Sequence, residues 1–301
     1  MMRFFRKSVV AEIQGGLGNR LFQLFAGLYM AKKLSVKLVI DVSKVSKERD
    51  PSYSDFDGLN FTNENVHSFK IKSTKSDLCW RFLAYFAKRR KAAKTFALQV
   101  LSYYVQNGVG YDDIIVKSNQ PMRLNGYFQT WKFVENLGVE KPVVTNPTTW
   151  FSSNLSRIKQ AKPVVVHVRL GDYVHNRDGI GLLSVRYFEE ALDFLSTKLP
   201  DAEVWVFSDD IGAAKLHLLS IWNRVDRWVT PPPGAQSCES LILMTEGSAL
   251  VMSNSTFSWW AGYWSEASTM IITPKEWFRN IEQPLDLQPE RWNRFSSYWI
   301  E

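Results

Sequence analysis

Residues 163–174 read PVVVHVRLGDYV, and their interpretation decides the fold. The apolar run Val164–Val168 reads as a short β-strand. Strand alternation puts His167 and Arg169 on one face, and Gly171 then frees the chain to turn. Working outward, further apolar runs occur at Val204–Ser208, Arg227–Thr230, Ala249–Ser253 and Met270–Thr273. Helical patterns at Ser184–Lys198, Ile211–Ser220, Ser237–Thr245 and Thr256–Ser265 separate them. Such alternation predicts an α/β fold with a parallel sheet covered by helices on both faces. Ligands of these sheets bind beyond the carboxyl ends of the strands, so the residues that follow each strand carry the functional reading.

The other half of the chain opens in the same way. A strand at Val9–Gln14 leads through Gly15-Gly16-Leu17-Gly18-Asn19 into a helical pattern at Arg20–Leu34, and Val36–Asp41 reads as the next strand. Farther on, Arg123–Phe128 reads as a strand and Trp131–Leu137 as a short helix. Lys141–Pro147, with its two prolines, reads as an interdomain link. The expected domains are therefore 1–147 and 148–301.

Four strand ends carry chemistry. At Gly15–Asn19, glycines permit a tight turn while the following helix offers unpaired N–H groups to an anion. The dinucleotide fingerprint Gly16-x-Gly18-x-x-Gly fails at Leu21, but Asp41 stands where an acidic ribose ligand would be, so an NAD-linked oxidoreductase is one alternative. After Val168, Arg169 supplies a planar, permanently charged fork suited to phosphate, and Asp172 either holds that fork or accepts a proton. A buried Arg–Asp pair with a core histidine is the structural alternative. After Ser208, Asp209-Asp210 is either a cation site for a nucleotide or the cap of the next helix. After Ser253, Asn254-Ser255-Thr256 begins a helix whose N-terminus favours an anion, or simply caps it. The tryptophans of Phe257–Trp264 read as a packing face.

Composition narrows the class. The chain has 301 residues, 45% hydrophobic and 22% charged, which suits a folded globular protein. Its net charge of +7 is localised: residues 1–150 hold 23 Lys and Arg against 12 Asp and Glu, whereas 151–301 hold 14 against 18. Nine cations against Asp77 lie within Lys70–Lys94. A solvated helix face and contact with an anionic membrane surface are the two main readings of that segment, ahead of nucleic acid. Cys79 and Cys238 have no metal or disulfide spacing. MMRFFRKSVV lacks the apolar stretch of a signal peptide, and the longest charge-free run, Gly247–Ser265, carries Ser253, Asn254, Ser255, Thr256 and Ser258 at its middle, which argues against a membrane span.

Taken in order, GGLGNRLFQ (15–23), GYFQTWKF (126–133), HVRLGDYV (167–174), FSDD (207–210) and LILMTEGSALVMSNSTFSWWAGYW (241–264) resemble the α-1,2-fucosyltransferase family of inverting glycosyltransferases, bacterial type. TPKEWF (273–278) fits as well. The resemblance implies a GT-B-like architecture, two Rossmann-type domains facing a cleft. It implies GDP-fucose as donor and a β-galactoside-terminated oligosaccharide, free or lipid-linked, as acceptor. It implies no metal or other cofactor and a bacterial-type cytoplasmic enzyme; no nucleic-acid partner is expected, and peripheral contact with an anionic membrane through 70–94 rests on the charge of that segment, not on the resemblance. By position, Arg169 would bind the donor β-phosphate and His167 would lie near the nucleotide. Asn254, Ser255, Thr256 and Ser258 would line the diphosphate pocket, and Gly16, Gly18 and Asn19 would approach the reaction centre. Arg169, Asp172 and Asn19 are thus the catalytic candidates, Asp172 as a possible base beside the departing phosphate itself. Three positions depart from the family pattern: Leu170 replaces the second arginine of HxRRGD, Arg20 replaces a glutamine, and Ser240 stands in place of an acidic residue that the resemblance ties to guanine recognition, with Glu239 adjacent as a candidate replacement.

Overall fold

A computed structural model describes residues 8–42, 45, 58–61, 70–71, 103–106, 110–111, 114 and 122–301. The chain divides into two compact units. The first comprises Met1–Tyr53, Phe61–Glu140 and Pro284–Leu287, the second Ser54–Asn60, Lys141–Gln283 and Gln288–Glu301. Of the basic segment Lys70–Lys94, only Lys70–Ile71 falls among the described residues.

In the first unit, β1 (Ser8–Glu12) is followed by α1 (Leu17–Leu34) and β2 (Lys37–Asp41). With β4 (Lys70–Ile71), β5 (Tyr103–Val105) and β6 (Met122–Asn125) these strands form a parallel sheet in the order β4-β2-β1-β6-β5. Helix α1 lies close on this sheet because Gly27 has no side chain: a Cβ there would come within 2.8 Å of Leu38 and 3.0 Å of Ala11. The helix ends at Ser35, whose left-handed backbone returns its N–H to the carbonyls of Ala31 and Lys32. The sequence runs outward from β1 to β2 and β4, then resumes on the other side with β5 and β6. The switch point therefore lies between β1 and β6, where crevices open at the carboxyl ends of parallel strands.

The second unit repeats the plan. Its strands are β8 (Val164–Val168), β9 (Val204–Ser208), β10 (Arg227–Trp228), β11 (Ala249–Val251), β12 (Met270–Pro274) and β13 (Asn293–Phe295). They form a six-stranded parallel sheet ordered β10-β9-β8-β11-β12-β13. The chain leaves β8 toward β9 and β10, then returns to place β11 on β8's other side, so this switch point lies between β8 and β11. All five residues of β8 are buried. Val164, Val166, Val168 and Leu170 enter one hydrophobic core with Leu182, Tyr187, Leu192 and Val206, which leaves His167 and Arg169 on the opposite side, as alternation requires.

Helices α2 (Trp131–Glu135), α3 (Thr149–Ala161), α4 (Val185–Ser196), α5 (Ile211–His217), α6 (Ser237–Met244) and α7 (Thr256–Trp264) complete the pattern. In α7, Trp259 and Trp260 are fully buried, and Trp259 stacks on Tyr263 with ring planes 8° apart at 5.0 Å. The tryptophans are a packing face and offer no platform to a sugar. The stretch Lys141–Pro147 is structured: its Val143–Val144 forms β7, paired antiparallel with β3 (Leu59–Asn60) inside the second unit.

Candidate active site

At the second switch point the geometry converges on Arg169. Its backbone N–H donates to Ser253 Oγ at 3.0 Å, and that hydroxyl donates to the His167 carbonyl at 2.7 Å. One serine thus continues the β8–β11 register past the end of the ladder and fixes where the arginine leaves the sheet. The guanidinium is gripped by two carboxylates: Nη2 donates to Asp172 Oδ1 at 2.6 Å, and Nη1 lies 3.2 Å from Asp209 Oδ2. The Tyr173 ring lies 5.5 Å from the guanidinium carbon, and the Tyr173 hydroxyl donates to the Asn254 carbonyl at 3.0 Å. Burial works against the charge of Arg169, but Asp209 and then Asp172 more than offset it and raise its pKa. Burial likewise pushes the Tyr173 hydroxyl up, so it remains a donor.

His167 is buried with its ring 5.7 Å from that of Phe257, and its Nδ1 has no hydrogen-bond partner. Burial, reinforced by the Arg169 charge, lowers its pKa to about 3. The imidazole is therefore neutral at physiological pH.

The adjacent acids have separate duties. Asp210 caps α5, accepting from the Ala213 N–H at 2.9 Å, so the capping reading holds for this residue. Asp209 faces Arg169 and also accepts from the Leu170 N–H at 3.0 Å. Neither acid is arranged as half of a cation-binding pair.

The hydroxyl-rich start of α7 is partly consumed by the fold. Asn254 Nδ2 donates to the carbonyls of Ile180, Gly181 and Trp277, at 3.2, 3.3 and 3.2 Å. Ser255 is the N-cap, accepting from the Phe257 N–H at 3.3 Å. Ser258 is fully buried, its hydroxyl donating to the carbonyls of Ser253 and Ser255. Thr256, the first residue of the helix, is half-buried. Arg169, Asp172, His167, Asn254, Ser255, Thr256 and Ser258 thus all lie around the strand ends of this sheet. The side chains of Asn254 and Ser258 are turned to structural work there.

Gly16, Gly18 and Asn19 lie in the first unit, at the carboxyl end of β1. Gly16 is the N-cap of α1, in an extended backbone conformation, and a Cβ placed on it would meet nothing within 4 Å. Asn19 Oδ1 accepts from Gln129 Nε2 at 2.8 Å, which joins the two sides of that switch point. Gln129 leaves a strained turn: Phe128 has a φ of 51°, in the left-handed region that side chains avoid. Gln106 compensates, its Oε1 accepting from the N–H groups of Tyr127 and Phe128 at 2.9 and 2.8 Å. Beneath the turn, Arg123 pairs with Glu12 at 2.5 Å and with Asp41, and Asn125 donates to Glu12. Asp41 is thus engaged by an arginine at the strand ends, which is not the solvent-facing position of a ribose ligand.

These two switch-point sites can be set against known proteins. The model of glycosyl transferase family 11 matches residues 141–292, just over half of the chain. The chain belongs to glycosyl transferase family 11. It is 27% identical to an Escherichia coli alpha-1,2-colitosyltransferase over 95% of this chain and 98% of the relative. It is also 27% identical to the Escherichia coli O-antigen biosynthesis glycosyltransferase WbnK, over 40% of each chain. The fold is similar to that of the fucosyltransferase NodZ from Bradyrhizobium, with a TM-score of 0.50 at 13% identity over 86% of this chain and 94% of NodZ. The selenomethionine form of NodZ gives 0.52 at 12%, over 86% and 92%. The two Rossmann-type units are those of the GT-B class.

Within family 11, the structure explains the three departures locally. Leu170 falls on the core side of the alternation and is buried there. Arg20 is buried and its Nε donates to the Gly15 carbonyl at 2.7 Å, so it braces the glycine turn from within. Glu239 is buried, and both its oxygens accept from Thr148, at the N-terminus of α3. That carboxylate is committed to hydrogen bonds within the second unit.

The sequence pattern carries no signal for Ser253 or Tyr173, and Asp209 reads in it as a cation ligand or a cap. The signal available for Asp209 was its position, the first residue past a central strand that neighbours β8. Among the described residues, no helix is long and apolar enough to cross a membrane.

Proposed function

We propose that this family 11 glycosyltransferase transfers L-fucose from GDP-β-L-fucose to the 2-hydroxyl of a terminal β-galactoside, with inversion and without a metal. The observation that carries the reading is the placement of Arg169 at the switch point of the second sheet, its backbone tied to the loop that starts α7. As GDP departs, negative charge accumulates on the β-phosphate. A fixed guanidinium and a helix N-terminus directed at that charge stabilise the transition state. Direct attack of the acceptor hydroxyl on the face opposite GDP converts the β-linked donor into an α-fucoside in one displacement.

In this reading Arg169 holds the β-phosphate, and neutral His167 lies beside the nucleotide. The α7 start (Asn254, Ser255, Thr256, Ser258) supplies the anion site, with Asn254 and Ser258 acting through the loop geometry they hold. Gly16, Gly18 and Asn19, at the carboxyl end of β1, complete the set of proposed residues, the glycines for the donor and Asn19 for catalysis. The acceptor proton goes to Asp172 or to the departing phosphate, and a pH–rate profile of Asp172→Asn separates the two: an unchanged rate assigns the phosphate. A lipid-linked acceptor presented at an anionic membrane is part of the proposal, through the segment Lys70–Lys94. Binding of the enzyme to anionic vesicles at low salt tests it.

A second donor is favoured by one observation. The relative that matches nearly the full chain is a colitosyltransferase by name. Colitose lacks one hydroxyl of L-fucose, so both sugars belong in the assay. The test is transfer from labelled GDP-fucose and GDP-colitose to a panel of β-galactosides in EDTA. A folded preparation that transfers neither sugar to any acceptor defeats the reading, and transfer of colitose alone replaces its donor.

A further inference from the structure

The two carboxylates on Arg169 are not equivalent. Asp209 is bound at both oxygens, one by the Leu170 N–H at 3.0 Å and one by Arg169 Nη1 at 3.2 Å, and only 22% of its side chain is exposed. Asp172 lies on the short 3-10 turn Gly171–His175, meets Arg169 Nη2 at 2.6 Å, and is 69% exposed. Between them, Gly171 leaves room for Asp209. A Cβ on residue 171 would stand 2.3 Å from Asp209 Oδ2, the oxygen that faces the guanidinium. A side chain at 171 would thus push that oxygen away from where it meets Arg169.

We propose that Asp209 is a positioning residue that permanently fixes Nη1 of Arg169, while Asp172 is a place-holder that yields Nη2 to the incoming phosphate. This rests on the reading that Arg169 receives the donor diphosphate. With both acids charged, the trio carries a net charge of −1, which repels an arriving anion. An exposed carboxylate bonded at one oxygen is the one that can swing away, because its attraction to the guanidinium is screened by water. The anchored carboxylate keeps the fork aimed, and an aimed fork presents Nη2 and Nε to phosphate oxygens without a search through rotamers.

The two acids therefore carry opposite signs in one measurement. By calorimetric titration with GDP, Asp172→Asn binds about two- to fivefold tighter than the wild type, from loss of repulsion and release of Nη2. Asp209→Asn binds about tenfold weaker or worse, the size of a lost charge-assisted bond. Gly171→Ala, which reaches the same oxygen from another residue, weakens GDP in the same direction as Asp209→Asn. Asp209→Glu, which restores the charge, recovers part of the loss, and a merely structural role would not be rescued by charge. Circular dichroism and thermal melting accompany each variant, and Gly171→Ala keeps the test open if Asp209→Asn does not fold.

Weaker GDP binding by Asp172→Asn, or unchanged binding by both Asp209→Asn and Gly171→Ala, overturns the proposal. Inorganic pyrophosphate is titrated in parallel. If pyrophosphate binds and GDP does not, the donor reading fails while the pattern of signs remains measurable. If neither binds to folded wild-type protein, Arg169 is not an anion site and the place-holder role falls with it.

Discussion

The carboxylate of Glu239 accepts both the N–H and the hydroxyl of Thr148, at 2.7 and 2.9 Å, and the same hydroxyl accepts from the Phe151 N–H at 3.1 Å. A buried acid on α6 thereby caps α3 through an intermediary, and the second unit closes on itself at its first helix. Removing that acid strands two donors. We expect Glu239→Ala to lower the unfolding free energy by about 2–4 kcal/mol, with GDP affinity of the folded fraction unchanged. Urea denaturation and GDP titration check this. Lost affinity with intact stability would make Glu239 a reader of the base.

Arg169 is 30% exposed and contributes little to the core, so its loss separates chemistry from folding. Arg169→Ala lowers turnover at least about a thousandfold while the melting temperature changes little. Arg169→Lys recovers only part of the rate, because an ammonium cannot span two carboxylates and a phosphate with a planar fork. Wild-type activity in the alanine variant would remove Arg169 from the site.

Asn254 tests the division between binding and support. Its amide joins three carbonyls from the 180–181 loop and Trp277, all of which lose a donor in Asn254→Ala. That variant is destabilised by about 2–3 kcal/mol. Asn254→Asp is worse, since a carboxylate then faces three carbonyl oxygens. The outcome against this assignment is an alanine variant of full stability whose GDP binding is gone.

His167 predicts an acid limit to stability. Its pKa is about 3 in the folded chain and near 6.5 when unfolded, so only the unfolded state gains a proton between those values. The contribution is complete above pH 6.5 and is lost as the pH falls. Relative to His167→Gln, the wild type loses about 2 kcal/mol between pH 7 and pH 5. Parallel denaturation curves for the two proteins at both pH values would refute the depressed pKa.

The second sheet was legible because its central strands are continuous apolar runs and helix α4 is strongly patterned. Val164–Val168 and Val204–Ser208 agree with the structure residue for residue. The Ile211–Ser220 helix is shorter, ending at His217 before a 3-10 turn begins at Leu219. Helix α3 escaped notice since its buried side is only Phe151, Asn154 and Ile158 amid serines, a thin stripe that periodicity cannot distinguish from a loop. Strand β13, three residues with two exposed, has no apolar signature and exists because β12 offers it an edge. At the site, residue types and strand alternation placed Arg169 at a strand end, where the structure has it. Which hydroxyl or amide was already spent on a carbonyl depended on loops distant in sequence, and no spacing rule reveals that. The resemblance supplied the family; the alternation of β8 showed why Leu170 is tolerated within it.

That alternation also bears on which side chains position 170 accepts. Residue 170 points into a packed interior among Leu182, Tyr187 and Leu192, so an arginine introduced there alone would bring an unpaired cation into hydrocarbon. An arginine at this position therefore requires companion substitutions that hollow out or polarise the surrounding core. Leu170 is in this sense a choice made by the interior of the second unit as a whole, not by one residue.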